Sequence, residues 1–170
     1  MEKLLWIDME MTGLDVEKEV ILEVAAIVTD LQLKEFDRYH SVVKQPSEYL
    51  DAMDNWNQKH HKESGLLDLI PSGKSPNLVE ADLLAILDTH FQNERAVLAG
   101  NSIGQDRLFI NKYMPQLASR LHYRMLDVTS YKIMFQNRFN ITYEKKNSHR
   151  AIDDILESIH ELNHYLLNIR

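Results

Sequence analysis

Leu4-Leu5-Trp6-Ile7-Asp8-Met9-Glu10-Met11-Thr12-Gly13-Leu14 decides how this chain is read. An apolar run enters a turn and carries two acids two positions apart. Side chains on a strand alternate between faces, so Asp8 and Glu10 share one face, and Ile7 and Met9 point the other way, into a core. Neighbouring carboxylates repel and are costly to desolvate, which implies compensating cations. Hard oxygen ligands on a rigid strand suit magnesium or manganese. Taken alone, the pair is also compatible with ordinary acids at a solvated strand end.

The global composition narrows the choice. The chain has 170 residues, of which 44% are hydrophobic, and residues 1–170 read as one domain with a sizeable core. It contains no cysteine, which excludes a disulfide framework and a thiolate metal site. Met1-Glu2-Lys3 leads straight into the first strand, so no secretory signal is expected. No apolar run approaches the length of a membrane span. A cytoplasmic setting without membrane attachment is the expectation. Nineteen basic against 26 acidic residues leave a net charge of −7, which weighs against gripping long nucleic acid through its phosphates. A nucleic-acid ligand should be short, or held by metals and a few local contacts.

Strands are expected over Leu4 to Met9, Val20 to Thr29 and Phe36 to Val43. The second is nearly all apolar and rich in β-branched residues, hence central. Tyr49 to Ser64 is polar and helix-permissive, and Pro71 to Pro76 is the clearest loop. Asn77 to Phe91 is an amphipathic helix. Ala96 to Ala99 is a short buried strand. Gly104 to Met114 is a helix stopped by Pro115, Tyr123 to Val128 is extended, and Thr129 to Phe139 is helical. The last helix runs from about Ala151 to Leu167, with Ile152, Ile155, Leu156, Ile159, Leu162, Tyr165 and Leu166 in one stripe. Strands followed by mixed strands and helices indicate an α/β layered domain.

Two further acidic segments stand out. Asp106 follows Gly100-Asn101-Ser102-Ile103-Gly104-Gln105, near a helix start, where the helix dipole alone favours an acid. His149-Arg150-Ala151-Ile152-Asp153-Asp154 opens the last helix. Gly73-Lys74-Ser75 lacks the earlier glycine of a phosphate loop. His60 and His61 are adjacent and do not face each other on a helix, which argues against a paired metal site.

Together these segments resemble a DEDDh exonuclease: two acids on strand one, one acid mid-chain, and His-x4-Asp at the last helix. Asp8-Met9-Glu10-Met11-Thr12-Gly13-Leu14, Asp54-Asn55-Trp56-Asn57, Gly100 to Arg107, Tyr123 to Val128 and His149 to Ile155 are similar to the oligoribonuclease family, in register across essentially the whole chain. The resemblance implies a ribonuclease H-like fold, a mixed five-stranded sheet flanked by helices. It implies a 3′→5′ exoribonuclease that degrades very short single-stranded RNA oligomers, including dinucleotides, to 5′-mononucleotides.

By the same resemblance, Asp8, Glu10, Asp106 and Asp154 bind two divalent ions, Mg2+ or Mn2+, which two-metal hydrolases hold about 3.5–4 Å apart. His149 is the general base, its unperturbed pKa of about 6.5 suiting proton transfer at neutral pH. Helical spacing alone pairs His149 with Asp153, four residues on, whereas the family pattern uses the fifth position, Asp154. Leu14 matches a wedge between the two bases. Trp56 and His61 match contacts to the 3′ nucleotide, and Ser102, Tyr123, Arg124 and Thr129 match a cap over the 5′ end. In the family, the tyrosine and arginine cross from the second subunit, so a homodimer is implied. Thr129-Ser130 reverses the usual Ser-Thr order. The rival readings are a general DEDDh exonuclease acting on DNA or longer RNA 3′ ends, and a nucleic-acid-binding module with a dead site.

Overall fold

A computed structural model describes residues 2–144 and 150–169. The opening segment forms β1 (Lys3–Met11), the middle strand of five. β2 (Ile21–Asp30) pairs antiparallel with one edge of β1, and β3 (Glu35–Val42) pairs antiparallel with β2. On the other edge of β1 lie β4 (Ala96–Gly100) and then β5 (Leu121–Asp127), both parallel. The order β3-β2-β1-β4-β5 is the mixed five-stranded sheet expected from the sequence.

The helices are α1 (Ser47–Asp51), α2 (Asn55–Glu63), α3 (Leu66–Leu69), α4 (Pro76–His90), α5 (Gly104–Tyr113), α6 (Pro115–Arg120), α7 (Val128–Phe139) and α8 (Ala151–Leu167). Alternation along β1 sorts them into layers. Leu5, Ile7 and Met9 pack with residues of α4, α5 and α6. Leu4 and Trp6 pack on the opposite face with Val128 and Phe135 of α7 and Ala151, Ile155, Ile159, Leu162 and Tyr165 of α8. Asp8 and Glu10 continue this second face towards the end of the strand. The Trp6 indole has no exposed surface, and its Nε1 donates to Thr29 Oγ1 at 2.9 Å, which satisfies its polar atom inside the core.

Local chemistry refines several boundaries. The helix-permissive Tyr49 to Ser64 divides into α1 and α2 because Asp54 interrupts it. Asp54 is extended, and its side chain accepts from the amide of Asn57 at 2.8 Å, capping α2. Pro115 ends α5 as expected and also opens α6, since proline is favoured at a first helical position. At the start of the Pro71 to Pro76 loop, Ile70–Ser72 forms a 3-10 turn. No helix among the described residues is long and apolar enough to cross a membrane.

One topological feature makes the site. β4 pairs with β1 only over Leu4, Leu5 and Trp6. Beyond Trp6 the two strands part, leaving the end of β1 open on that edge. Gly100 sits at the divergence. A Cβ there would lie 2.9 Å from the Ile7 carbonyl oxygen and 2.8 Å from Ile103 Cδ1, so only glycine fits without displacement.

Candidate active site

The second face of β1 carries its two acids to where α8 begins. Asp8, Glu10 and Asp154 each present a carboxylate oxygen, and the three oxygens lie within 4.8 Å of one another. The first turn of α8 closes on the Arg150 carbonyl, which accepts from the amides of Asp153 at 2.9 Å and Asp154 at 3.0 Å. Asp153 is exposed, whereas Asp154 is half-buried and belongs to the cluster. His149 lies outside the described residues.

Asp106 approaches from the other layer. It occupies the first turn of α5 and is 6% exposed. The backbone amides of Asp106 itself and of Met9 lie close enough to its carboxylate to favour the charged form. Asp106 stands outside the 4.8 Å trio, but its charge acts on Glu10. Burial, first, and then the carboxylates of Asp154, Glu23 and Asp106 push Glu10 up to about 8, with Arg150 opposing. Burial likewise raises Asp106 to about 7; the two amides oppose it and Asp127 adds to it. Such crowding is what a cation between the carboxylates would relieve.

The surroundings fall into two groups. On one side, Leu14 is 75% exposed and Trp56 65% exposed. The Leu14 carbonyl accepts from Gln105 Nε2 at 2.6 Å, which ties its turn to α5. The Trp56 ring stacks on His60 with centroids 4.4 Å apart. His61 is buried; its Nε2 donates to the Met11 carbonyl at 2.8 Å, and Nδ1 lies 3.9 Å from Glu10 Oε2. The adjacent histidines thus do different things.

On the other side, the Ser102 amide donates to both Asp127 Oδ1 and Thr129 Oγ1 at 2.9 Å. Thr129 Oγ1 donates to Asn101 Oδ1 at 2.8 Å, so the Ser102 hydroxyl, 3.0 Å away, must donate to Thr129. Ser102 has φ 51°, a left-handed conformation that disfavours non-glycine residues by about 1–2 kcal/mol and is held here by these bonds. Tyr123 is 74% exposed on the edge strand β5, stacked against His122 at 4.6 Å, with the Arg124 guanidinium 5.3 Å from its ring centroid.

Comparisons with known proteins bear directly on this arrangement. The exonuclease family model RNase T matches residues 5–162. An oligoribonuclease of Shewanella sp. (strain W3-18-1) is 41% identical over 167 residues, covering 95% of this chain and 92% of its own. The chain belongs to the oligoribonuclease family. The Coxiella burnetii oligoribonuclease is 42% identical over 177 residues, covering 99% of this chain and 96% of its own. The human mitochondrial oligoribonuclease is 39% identical, covering 99% of this chain and 73% of its own. Among solved structures, Escherichia coli exonuclease I in a metal-free complex with single-stranded DNA superposes with TM-score 0.74 at 12% identity, over 99% of this chain and 40% of that one. Exonuclease I of Methylocaldum szegediense gives TM-score 0.70 at 15% identity, over 98% and 40%. The chain spans about two fifths of these structures, and the likeness shows the shared ribonuclease H-like fold.

The cluster fits a hard divalent cation. Its donors are carboxylate oxygens alone, they converge from strand and helix, and burial together with like charge raises the protonation threshold of Glu10. Sequence reasoning missed the residues that hold this arrangement in place. Glu23 is fully buried on β2, directly opposite Glu10 in register. Arg150, His40 and the Ala151 amide all bond to it. Its signal was present: Glu23 is the lone charge within Val20-Ile-Leu-Glu-Val-Ala-Ala-Ile-Val. Asp127 and Asn101, which organise the Ser102–Thr129 corner, had only turn-like signals.

Proposed function

We propose that the protein is a 3′→5′ exoribonuclease that hydrolyses very short RNA oligomers, dinucleotides included, to 5′-mononucleotides. The observation that carries this reading is the meeting of Asp8, Glu10 and Asp154 at the parted end of β1, in a chain of the oligoribonuclease family. Asp8, Glu10, Asp106 and Asp154 hold two ions, Mg2+ or Mn2+. When bound, such ions make a water acidic enough to deprotonate at neutral pH and neutralise charge developing on the phosphate. Asp106 reaches the site from the first turn of α5. His149 takes the proton from the attacking water.

The remaining residues place the substrate. The exposed Trp56 ring, backed by His60, offers a face for the 3′ base, and stacking of this kind is worth about 1–3 kcal/mol for any base. Leu14, exposed on its turn, wedges between the two bases. His61 meets the 3′ nucleotide at the level of Glu10. Ser102 and Thr129 close over the 5′ end. Tyr123 and Arg124 project from an edge strand into solvent, which supports their crossing to the site of a second copy in a homodimer. A cytoplasmic setting belongs to the same reading.

The test is hydrolysis of a 5′-labelled RNA dinucleotide by metal-stripped protein, before and after adding Mg2+ or Mn2+. The expected result is release of labelled 5′-mononucleotide only with metal, abolished in Asp8→Ala. Metal-independent cleavage, or binding without cleavage in the presence of both ions, would contradict the proposal.

A further inference from the structure

We propose that Glu23 is the positioning residue of the acidic site, its buried carboxylate fixing the first turn of α8 and thereby the place of Asp154. The inference rests on the reading of Asp154 as a metal ligand.

Glu23 stands in a strand that is otherwise almost wholly apolar and has no exposed surface. A carboxylate there is expensive unless fully partnered. Its partners come from three directions. Arg150 donates to Oε1 through Nε at 2.9 Å and Nη2 at 2.6 Å. His40 of β3 approaches the same oxygen with Nε2 at 2.6 Å. The Ala151 amide donates to Oε2 at 3.1 Å. Burial alone would raise the Glu23 carboxyl, but the bonds from Arg150, His40 and the Ala151 amide outweigh it, and the group is held below its ordinary value.

This pattern does for α8 what Arg150, the residue before it, does not. The side chain of Arg150 has no acceptor with which to cap the helix and makes no cap bond. Glu23, 128 positions away in sequence, takes the Ala151 amide instead and sets a negative charge at the helix N-terminus, where the dipole favours it. Arg150 is gripped at both ends: its guanidinium by Glu23, its carbonyl by the amides of Asp153 and Asp154. Asp154 follows Ala151 by three residues, less than one turn. Ala151 is itself fully buried against the sheet. The frame that holds Ala151 and Arg150 to β2 therefore determines how far Asp154 stands from Asp8 and Glu10 on the neighbouring strand.

Outer partners of metal ligands typically contribute about 10–100-fold to metal affinity or activity. The experiment measures Mn2+ binding by electron paramagnetic resonance of the free ion in wild type, Glu23→Gln, Asp154→Asn and the double variant, with thermal melting and dinucleotide kinetics alongside. Glu23→Gln keeps the size and one acceptor but loses the charge. It should weaken Mn2+ binding by about tenfold or more and lower kcat more than it alters KM. In the Asp154→Asn background the same substitution should cost less than about twofold, because the ligand it positions is gone. Arg150→Lys, which keeps the charge but offers one nitrogen in place of two, should shift Mn2+ affinity in the same direction by less. It supplies the answer if Glu23→Gln does not fold.

Mn2+ affinity within twofold of wild type in both Glu23→Gln and Arg150→Lys, with only the melting temperature lowered, would overturn the positioning role. So would equal losses with and without Asp154. Wild-type protein that binds no Mn2+, or an Asp154→Asn variant that binds as wild type does, would instead overturn the metal-site reading on which this rests.

Discussion

Asp153 and Asp154 show how much a single residue position matters. Helical spacing favours Asp153 as the partner of His149, yet the side chain that meets Asp8 and Glu10 is that of Asp154, and Asp153 faces solvent. Asp154→Ala should remove most metal-dependent turnover, and Asp153→Ala should leave it within a few-fold of wild type; steady-state kinetics on a dinucleotide separates the two. An inactive Asp153→Ala beside an active Asp154→Ala would reverse the assignment. Glu10 makes a second prediction, in pH. Its folded value of about 8 lies above the ordinary 4.5. A carboxyl raised on folding favours the folded state below its unfolded pKa, and that advantage is lost as pH rises through the folded value. Metal-free protein should therefore lose melting temperature between about pH 5 and 8. Glu10→Gln, which cannot ionise, should flatten that loss, each kcal/mol relieved being worth about 2–4 °C at this size. Added Mg2+ or Mn2+ should stabilise wild type more at pH 8 than at pH 5. A melting temperature in Glu10→Gln that falls as steeply as in wild type would rule Glu10 out as the source. At this scale Asp106 and Asp154 were assigned through the family resemblance, whereas Asp8 and Glu10 were legible because they interrupt an apolar strand. Glu23 interrupts one too, but its partners lie far off in sequence, and no local rule connects them.

At the scale of elements, strand and helix identities follow from periodicity, whereas their junctions follow from contacts the sequence does not display. β2 and α8 are visible as an apolar run and a continuous stripe. The division at Asp54 depends on a cap bond, and the parting of β1 from β4 depends on where pairing stops after Trp6. The corner between β4, β5 and α7 is the clearest case. Thr129 donates to Asn101 and accepts from the Ser102 amide, holding Ser102 in its left-handed conformation. Thr129→Val keeps the shape and removes the hydroxyl. It should cost about 1 kcal/mol, a fall of about 2–4 °C in melting temperature, and Thr129→Ser should restore it. If the threonine and serine hydroxyls serve equally, dinucleotide kcat/KM should also recover in Thr129→Ser. Failure of serine to rescue either measurement would show that the methyl group, and not the hydroxyl, matters at this corner.

For the molecule as a whole, the sheet order leaves β5 as an edge, with Tyr123, Arg124 and Met125 exposed along it. If Tyr123 and Arg124 complete a neighbour's site, mixing Asp8→Ala with Tyr123→Ala subunits should recover activity, because one hybrid site then contains neither lesion. Heterodimers of verified composition that stay inactive would confine each site to one chain. Assembly is an expectation of the family resemblance alone, since nothing in an exposed edge names what covers it. The central claim is that this acidic chain of net charge −7 works on very short RNA because its site is closed at the 5′ end and has few cations with which to follow a longer backbone. The most direct measurement is kcat/KM across an RNA length series, from dinucleotide upward, at fixed enzyme and metal. The account predicts a maximum at the dinucleotide and a steady fall with each added nucleotide, flattened in Arg124→Ala. A long single strand cleaved as efficiently as a dinucleotide by wild-type enzyme would contradict it.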